Sequence, residues 1–324
     1  MRFAHALRPF AVGLGLLLGL LPAYAAQDYP ARRITFIVAF SPGGVADTLA
    51  RVVAHGLESK LHQSVVIENH SGAGGNVGAG LVSRAAPDGY TFLVTTTGLA
   101  INVTLNKSSP FKAADFKTVA IVASSPEALI VNPASPAKTL AEFVKAHKDK
   151  PFNFGSAGVG SGSHVEAAYF FNKIAGIKGT HVPYQGGAPA MNAALANQID
   201  ILAITLGGGA ANQIKAGKLR ALGVAGEKRA AVAPNAPTYA ESGFPGFTAA
   251  SWVGVFAPAK TDQAEIETVN KAIEEVMKDP DVQKRLTSIG FDPIHGSAAE
   301  AQAYFNSEVK KWGGMVHTLG LSTN

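Results

Sequence analysis

Ile34-Thr-Phe-Ile-Val-Ala-Phe40 runs straight into Ser41-Pro-Gly-Gly44 and then Val45-Ala-Asp47. A near-continuous apolar run of this length is what a strand buried on both faces requires. The two glycines turn the chain, after which Val45, Leu49, Val52, Val53, Leu57 and Leu61 recur on one helical face. Downstream, Ser64–Glu68 reads as a second strand, Asn76–Ala86 as a short helix after a Gly-rich loop, and Tyr90–Val94 as a third strand after the Asp88-Gly89 turn. This βαβαβ rhythm belongs to an open α/β sheet covered by helices on both faces.

The middle of the chain repeats the pattern. Strands are expected at 118–123, 128–131, 152–155, 180–183, 200–204 and 219–224, with helices over 139–146, 163–174, 188–197 and 209–217. Residues 251–257 read as a further strand. The tail is helical over 262–278, 280–288 and 298–317, the last helix opened by a Ser297/Glu300 capping box. The strands ending at Pro133 and Pro258 look like crossings between two lobes. They divide the chain into an outer lobe (26–125 plus 250–324) and an inserted lobe (126–249), joined by a two-strand hinge.

Residues 1–25 are expected to be a cleaved signal peptide: Arg2 and Arg8, the apolar run Phe10–Leu21, then Ala23-Tyr24-Ala25. Its apolar run is too short to cross a bilayer as a helix. The 324 residues carry 28 Lys and Arg against 23 Asp and Glu, and no Cys, which excludes disulfides, thiolate metal sites and thiol nucleophiles. Basic residues occur singly, without the aromatic-interleaved stripe of a nucleic-acid surface. His55, His62 and His70 do not form a metal-ligand pattern, and no Gly-x-Ser-x-Gly elbow, His-Glu-x-x-His or P-loop occurs.

The informative loops each follow a strand and precede a helix. Ser41, Gly43, Gly44 and Asp47 form the first; bare backbone there approaches a ligand closely, and the following helix supplies free N–H donors. Asp47 either meets a ligand or complements the helix N-terminus. Asn69–Gly78 has the wrong spacing for a dinucleotide fingerprint. Gly160, Ser161, Ser163 and His164 make an anion-binding arrangement, with Ser163 also readable as an N-cap paired with Glu166. Tyr184 and Gly187, Thr95 and Thr97, and Thr205 complete a set of hydroxyls and glycine backbone with few charges. Such a set suits recognition of a small anion better than bond breaking. A hydrolase using Ser163 and His164 in the 158–166 loop is the catalytic alternative.

Several segments together carry a resemblance: Ile37–Asp47 with Arg51, Val66–Asn69 with Gly72–Asn76, Pro87–Thr91, His181–Gly187, Pro237-Thr238 with Glu241–Gly243, and Gly254–Pro258. In this series the chain resembles the extracytoplasmic solute-binding receptors of tripartite tricarboxylate transporters, the Bug family. The resemblance implies a periplasmic-binding-protein fold of the Venus flytrap, type II-like kind, with mostly parallel sheets. It implies a monomer in the periplasm that binds a small organic carboxylate, needs no cofactor or metal, and docks transiently on a two-subunit inner-membrane permease. A sensor docking on a signalling partner would share the same cleft. Gln185 stands where the family pattern often has Lys or Arg, which favours mono-, di- or aromatic carboxylates over citrate.

Overall fold

The computed structural model describes residues 29–106 and 109–322; the expected signal peptide lies outside the described residues. The first βαβαβ unit forms as expected: β1 (Ile34–Val38), α1 (Val45–Leu61), β2 (Val65–Asn69), α2 (Asn76–Val82) and β3 (Thr91–Thr96). Leu49, Val52, Val53 and Leu57 of α1 are buried, so its apolar stripe is the face laid against the sheet. One further helix, α3 (Gly98–Leu105), follows β3 directly. It has no polar face to announce it: Leu99, Ala100, Ile101 and Leu105 are all buried, and so is Asn102.

The two strands expected at 118–123 and 128–131 are a single strand, β4 (Phe116–Val131). Ser124-Ser-Pro126 reads as a break in sequence, yet the strand runs through it. Pro126 has no N–H to donate, and it sits where β4 changes partners. Up to Pro126, β4 pairs antiparallel with β9 (Ala250–Pro258); from Glu127 it pairs antiparallel with β7 (Ile201–Thr205). Its residues 128–131 also pair with β8 (Arg220–Val224).

The remaining elements are α4 (Leu140–Ala146), β5 (Asn153–Ser156), α5 (Gly162–Tyr169), β6 (Thr180–Pro183), α6 (Gly187–Leu195) and α7 (Gly209–Lys215). After β9 come α8 (Gln263–Lys278), α9 (Pro280–Ser288), β10 (Asp292–Pro293) and α10 (Ala298–Leu319). The strand order is β2-β1-β3-β9-β4-β7-β5-β6, with β8 and β10 also on β4. Pairing is parallel toward either end of this order, in β2-β1-β3 and in β7-β5-β6, and antiparallel wherever β4 or β9 takes part. The sheet is therefore mixed rather than mostly parallel, because the two central strands carry the chain between lobes instead of closing βαβ crossovers.

The architecture is the two-lobed one expected. Alternation along β4 sends Leu129 and Val131 into the larger core and Ala128 and Ile130 into a second, smaller core shared with β7 and α6. The C-terminal helices pack on the first lobe. There Glu308 of α10 accepts hydrogen bonds from both indoles, Trp252 Nε1 at 3.0 Å and Trp312 Nε1 at 2.8 Å, on one carboxylate oxygen. The Ser297/Glu300 capping box is present as read.

Candidate functional site

Three helices begin at the junction of the lobes: α1 after Gly44, α5 after Ser161 and α6 after Gly186. Gly44, Ser161, Gly162 and Gly187 line a common cavity there, together with Ser163 and Thr205. Unpaired N–H groups and the positive dipole ends of the helices make such a junction favourable for negative charge. Among the described residues no Lys, Arg or His lines this cavity. Its volume is about 40 Å³, room for water but not for a ligand of several carbons.

The first loop is shaped from within by Asp47. Its carboxylate accepts from Gly43 N, Arg51 Nε, Arg51 Nη2 and Asn69 Nδ2, each at 3.0 Å. Burial disfavours its ionised form, but the Arg51 guanidinium and the Gly43 and Asn69 donors outweigh that and hold the carboxyl below its usual range. Asp47 thus folds the loop, with Gly43 at φ 77°, and does not line the cavity. Ser41 Oγ, in contrast, is buried without a partner, and a Cβ on Gly186 of the opposite lobe would stand 2.5 Å from it.

In the third loop the N-cap is Ser161, not Ser163: its Oγ accepts from His164 N at 3.2 Å, so α5 begins one residue earlier than expected. Ser161 Oγ also donates to Gly158 O at 2.7 Å. Ser163 Oγ accepts from Ala157 N at 3.3 Å and lies 3.2 Å from Ser161 Oγ. His164 Nδ1 accepts from Gly160 N at 3.2 Å, and its ring stacks on His181 with centroids 4.0 Å apart. Burial and then the neighbouring His181 lower His164 to about 3, and burial lowers His181 to about 4, so both rings are neutral near pH 7. Ser163 and His164 are committed to different partners, which leaves no nucleophile–base pair of the kind the catalytic alternative needs.

Tyr184 stands apart from the cavity, its ring 3.2 Å from where a Cβ on Gly155 would lie. Gly160 and His164 likewise support the loop rather than line the cavity. Among the threonines the face is reversed. Both Thr95 and Thr96 pair with β9, but Thr96 lines the cavity and Thr95 does not, because successive strand residues point to opposite faces. Thr97 lies one layer deeper, with its Oγ1 3.0 Å from Ser251 Oγ.

Glu127 and Ser251 were not expected. Both line the cavity, and Glu127 is fully buried. The signal in the sequence was a lone acid, Glu127, inside the strand run Ala123–Val131. Its Oε1 accepts from Thr205 Oγ1 at 3.3 Å, while Oε2 has no partner. Glu166, one turn into α5, is also fully buried; its Oε1 accepts from the Tyr239 hydroxyl at 2.7 Å. Burial pushes Glu166 up to about 8, and burial followed by the Glu166 charge pushes Glu127 well above the usual carboxylate range.

The lobes touch beyond the cavity. Asn102 Nδ2 donates to Gly98 O at 2.8 Å within α3, to Gly74 O at 3.3 Å, and across the junction to Gly160 O at 3.2 Å. Gly74, at φ 64°, lies so close to Val159 that a Cβ there would stand 2.0 Å from its carbonyl oxygen.

Comparison with known proteins bears directly on this arrangement. The sequence pattern of a family described as tripartite tricarboxylate transporter family receptor matches residues 49–321. A protein of Pseudomonas sp. strain P51, described as a UPF0065 protein in the tcbD-tcbE intergenic region, is 33% identical over 300 residues, covering 91% of this chain and 89% of that relative. Among solved structures, the periplasmic binding protein BugD superposes with a TM-score of 0.87 at 29% identity, covering 91% of this chain and 100% of the other. R. palustris Rpa4515, solved with adipate, superposes with a TM-score of 0.86 at 31% identity, covering 91% and 99%.

Proposed function

The chain belongs to the tripartite tricarboxylate transporter receptor family, and from that premise we propose that it captures one small organic carboxylate in the periplasm and delivers it to a two-subunit inner-membrane permease. The observation that carries this reading is the convergence of three helix N-termini on one cavity lined by hydroxyls and glycine backbone. A carboxylate held there is neutralised by oriented N–H dipoles rather than by a fixed cation. Mono-, di- and aromatic carboxylates fit this economy of charge better than citrate, because three carboxylates would meet only partial positive charges and one buried acid, Glu127.

The lobes are assigned to 26–125 plus 250–324 and to 126–249. Support comes from the change of partners along β4 at Pro126 and Glu127, and from the backbone bonds Glu127 N to Ala249 O and Ala249 N to Ala225 O beside it. These two adjacent segments are the proposed hinge, and the receptor acts as a monomer.

A thermal-shift screen tests the reading. Protein is unfolded and refolded to strip copurified solute, then melted against mono-, di-, tri- and aromatic carboxylates. A ligand at a thousandfold excess over its Kd contributes about 4 kcal/mol, which raises the midpoint by several degrees. No shift with any carboxylate, from protein shown to be refolded, would refute it.

A further inference from the structure

One carboxyl oxygen beside the cavity has no bonding partner. Glu127 stands where β4 passes from β9 to β7, fully buried and among the residues that line the cavity. Its Oε1 accepts from Thr205 Oγ1 at 3.3 Å and lies against the start of α5, where a Cβ on Gly162 would come within 2.9 Å of it. Its Oε2 is buried and unpartnered. The first turn of α5 is one of the three helix ends that bring free N–H groups to the cavity. Glu127 and an incoming carboxylate therefore meet at the same helix end.

An ionised carboxylate has nothing to hold it here. Among the described residues no Lys, Arg or His nitrogen lies within 4.0 Å of Glu127. Its surroundings are neutral or acidic. Thr205 of β7 donates to it, and Thr97 and Ser251, on the far side of Gly162, are bonded to each other. On α5, Glu166 is a second buried acid whose Oε1 accepts from the Tyr239 hydroxyl, and His164 is neutral near pH 7. Burial and then the Glu166 charge hold Glu127 well above the usual carboxylate range, so the neutral acid is the form present near pH 7. Thr205 fixes Oε1 as an acceptor, which leaves the proton to Oε2. Without that proton Oε2 is a buried acceptor lacking a donor; with it, Oε2 is a donor beside a cavity suited to negative charge.

We propose that protonated Glu127 is a specificity-determining residue of this cleft, donating its Oε2 hydrogen to an oxygen of the solute carboxylate seated at the N-terminus of α5. The inference rests on the carboxylate-receptor reading and deepens it. Two carboxyl groups at one helix end are stable together when they share a single proton, and an O–H···O⁻ bond is of the strong, charge-assisted kind. The negative charge stays on the solute and the proton on Glu127, so the pair needs no cation. An ionised acid in the same place would repel the solute. Glu166, one turn into α5, disfavours ionisation of Glu127 without itself lining the cavity.

The test measures affinity near pH 7 by titration calorimetry with benzoate, succinate and adipate as probes, for wild type, Glu127→Met and Glu127→Gln. Glu127→Met keeps the bulk and removes the donor; it should weaken the best-bound probe about tenfold or more, the range for a hydrogen bond to a charged group. Glu127→Gln, which restores an N–H donor and an acceptor for Thr205, should recover most of that loss. Infrared difference spectra supply the second readout: wild type should show a carboxylic-acid C=O band that Glu127→Gln lacks, and the probe should shift it. If neither variant folds, the probe-induced shift of that band in wild type decides alone. Binding by Glu127→Met as tight as wild type or tighter, a loss as large in Glu127→Gln as in Glu127→Met, or a carboxylic-acid band that the probe leaves unmoved would each overturn the proposal while leaving the carboxylate receptor standing. Failure of all three probes and of the wider carboxylate panel to bind wild type, with protein shown to be refolded, would overturn the receptor reading itself.

Discussion

Asn102 is the side chain through which closure of the lobes is most directly tested. Its amide nitrogen carries two hydrogens and faces three carbonyls, Gly98 O at 2.8 Å, Gly160 O at 3.2 Å and Gly74 O at 3.3 Å. The shortest bond is within α3 and exists whichever way the lobes stand. The two longer ones share the remaining hydrogen, and only Gly160 belongs to the other lobe. Asn102→Ala therefore leaves Gly160 O without its donor in the closed form alone; with the lobes apart, water takes its place. A buried carbonyl stripped of its donor costs about 1–3 kcal/mol, which lowers ligand affinity about 5- to 150-fold. Asn102→Asp is the sharper variant. It has the same size but places a carboxylate against three carbonyl oxygens, so closure should fail and affinity should fall further than in Asn102→Ala. Calorimetry gives the affinities, and small-angle scattering with and without ligand reports the contraction. Wild-type affinity and contraction in Asn102→Asp would refute the assignment of this contact to closure.

Other perturbations follow from the same geometry. Gly162→Ala places a Cβ 2.5 Å from Thr97 Oγ1 and 2.9 Å from Glu127 Oε1 at a helix position without positive φ; ligand-induced stabilisation should vanish in a melting assay while the ligand-free midpoint stays within a few degrees. Glu166 is protonated in the folded chain up to about pH 8 but ionises near 4.5 when unfolded, so it contributes a loss of stability that grows as pH rises from 4.5 to 8. Glu166→Gln should remove that slope and stabilise the protein at pH 8 by up to about 5 kcal/mol, read by urea unfolding at pH 5 and pH 8. Both His164 and His181 are depressed, to about 3 and about 4; their contribution is present above pH 6.5 and is lost as pH falls toward 4, and His181→Phe should flatten that acid limb. Glu308→Leu strands two buried indole N–H groups and should cost about 2–5 kcal/mol, whereas Glu308→Gln, which retains an acceptor, should cost less.

Local pattern carried the sequence reading a long way. An apolar run followed by a glycine turn and a one-faced helix located β1 and α1, and the same grammar found most of the later strands. It placed Gly44, Ser161, Ser163, Gly187 and Thr205 near one another because each lies at a strand-to-helix junction. What escaped it depends on partners distant in sequence. Pro126 reads as a stop, yet it is accommodated because its carbonyl, not its missing N–H, serves the next lobe by accepting from Leu206 N at 2.9 Å. The choice between Thr96 and its neighbours rests on strand parity, which a loop assignment hides. Ser161 takes the cap from Ser163 because the turn through Gly160, at φ 79°, brings Ser161 Oγ to His164 N. Glu127 was passed over: a lone acid inside a strand run is a signal, but its environment is assembled from β4, β7, α5 and β9, which are distant in sequence.

The place of β9 in the sheet sets an order of events during synthesis. Strand β9 fills the gap between β3 and β4, although it lies more than a hundred residues downstream of both. As the chain emerges from its N-terminus, β1, β2 and β3 can pair, but β3 keeps an open edge until residues 250–258 arrive. Over the same interval β5, β6, β7 and β8 find their partners within a contiguous stretch that includes the end of β4. Long-range pairing of this kind is slow, and an unpaired edge is a template for other chains. The nascent protein is thus most vulnerable to aggregation after its inserted lobe is complete and before the segment from residue 250 onward is made. A truncation ending near residue 249 should be rescued by a chaperone that shields β3, or by the missing C-terminal segment supplied in trans.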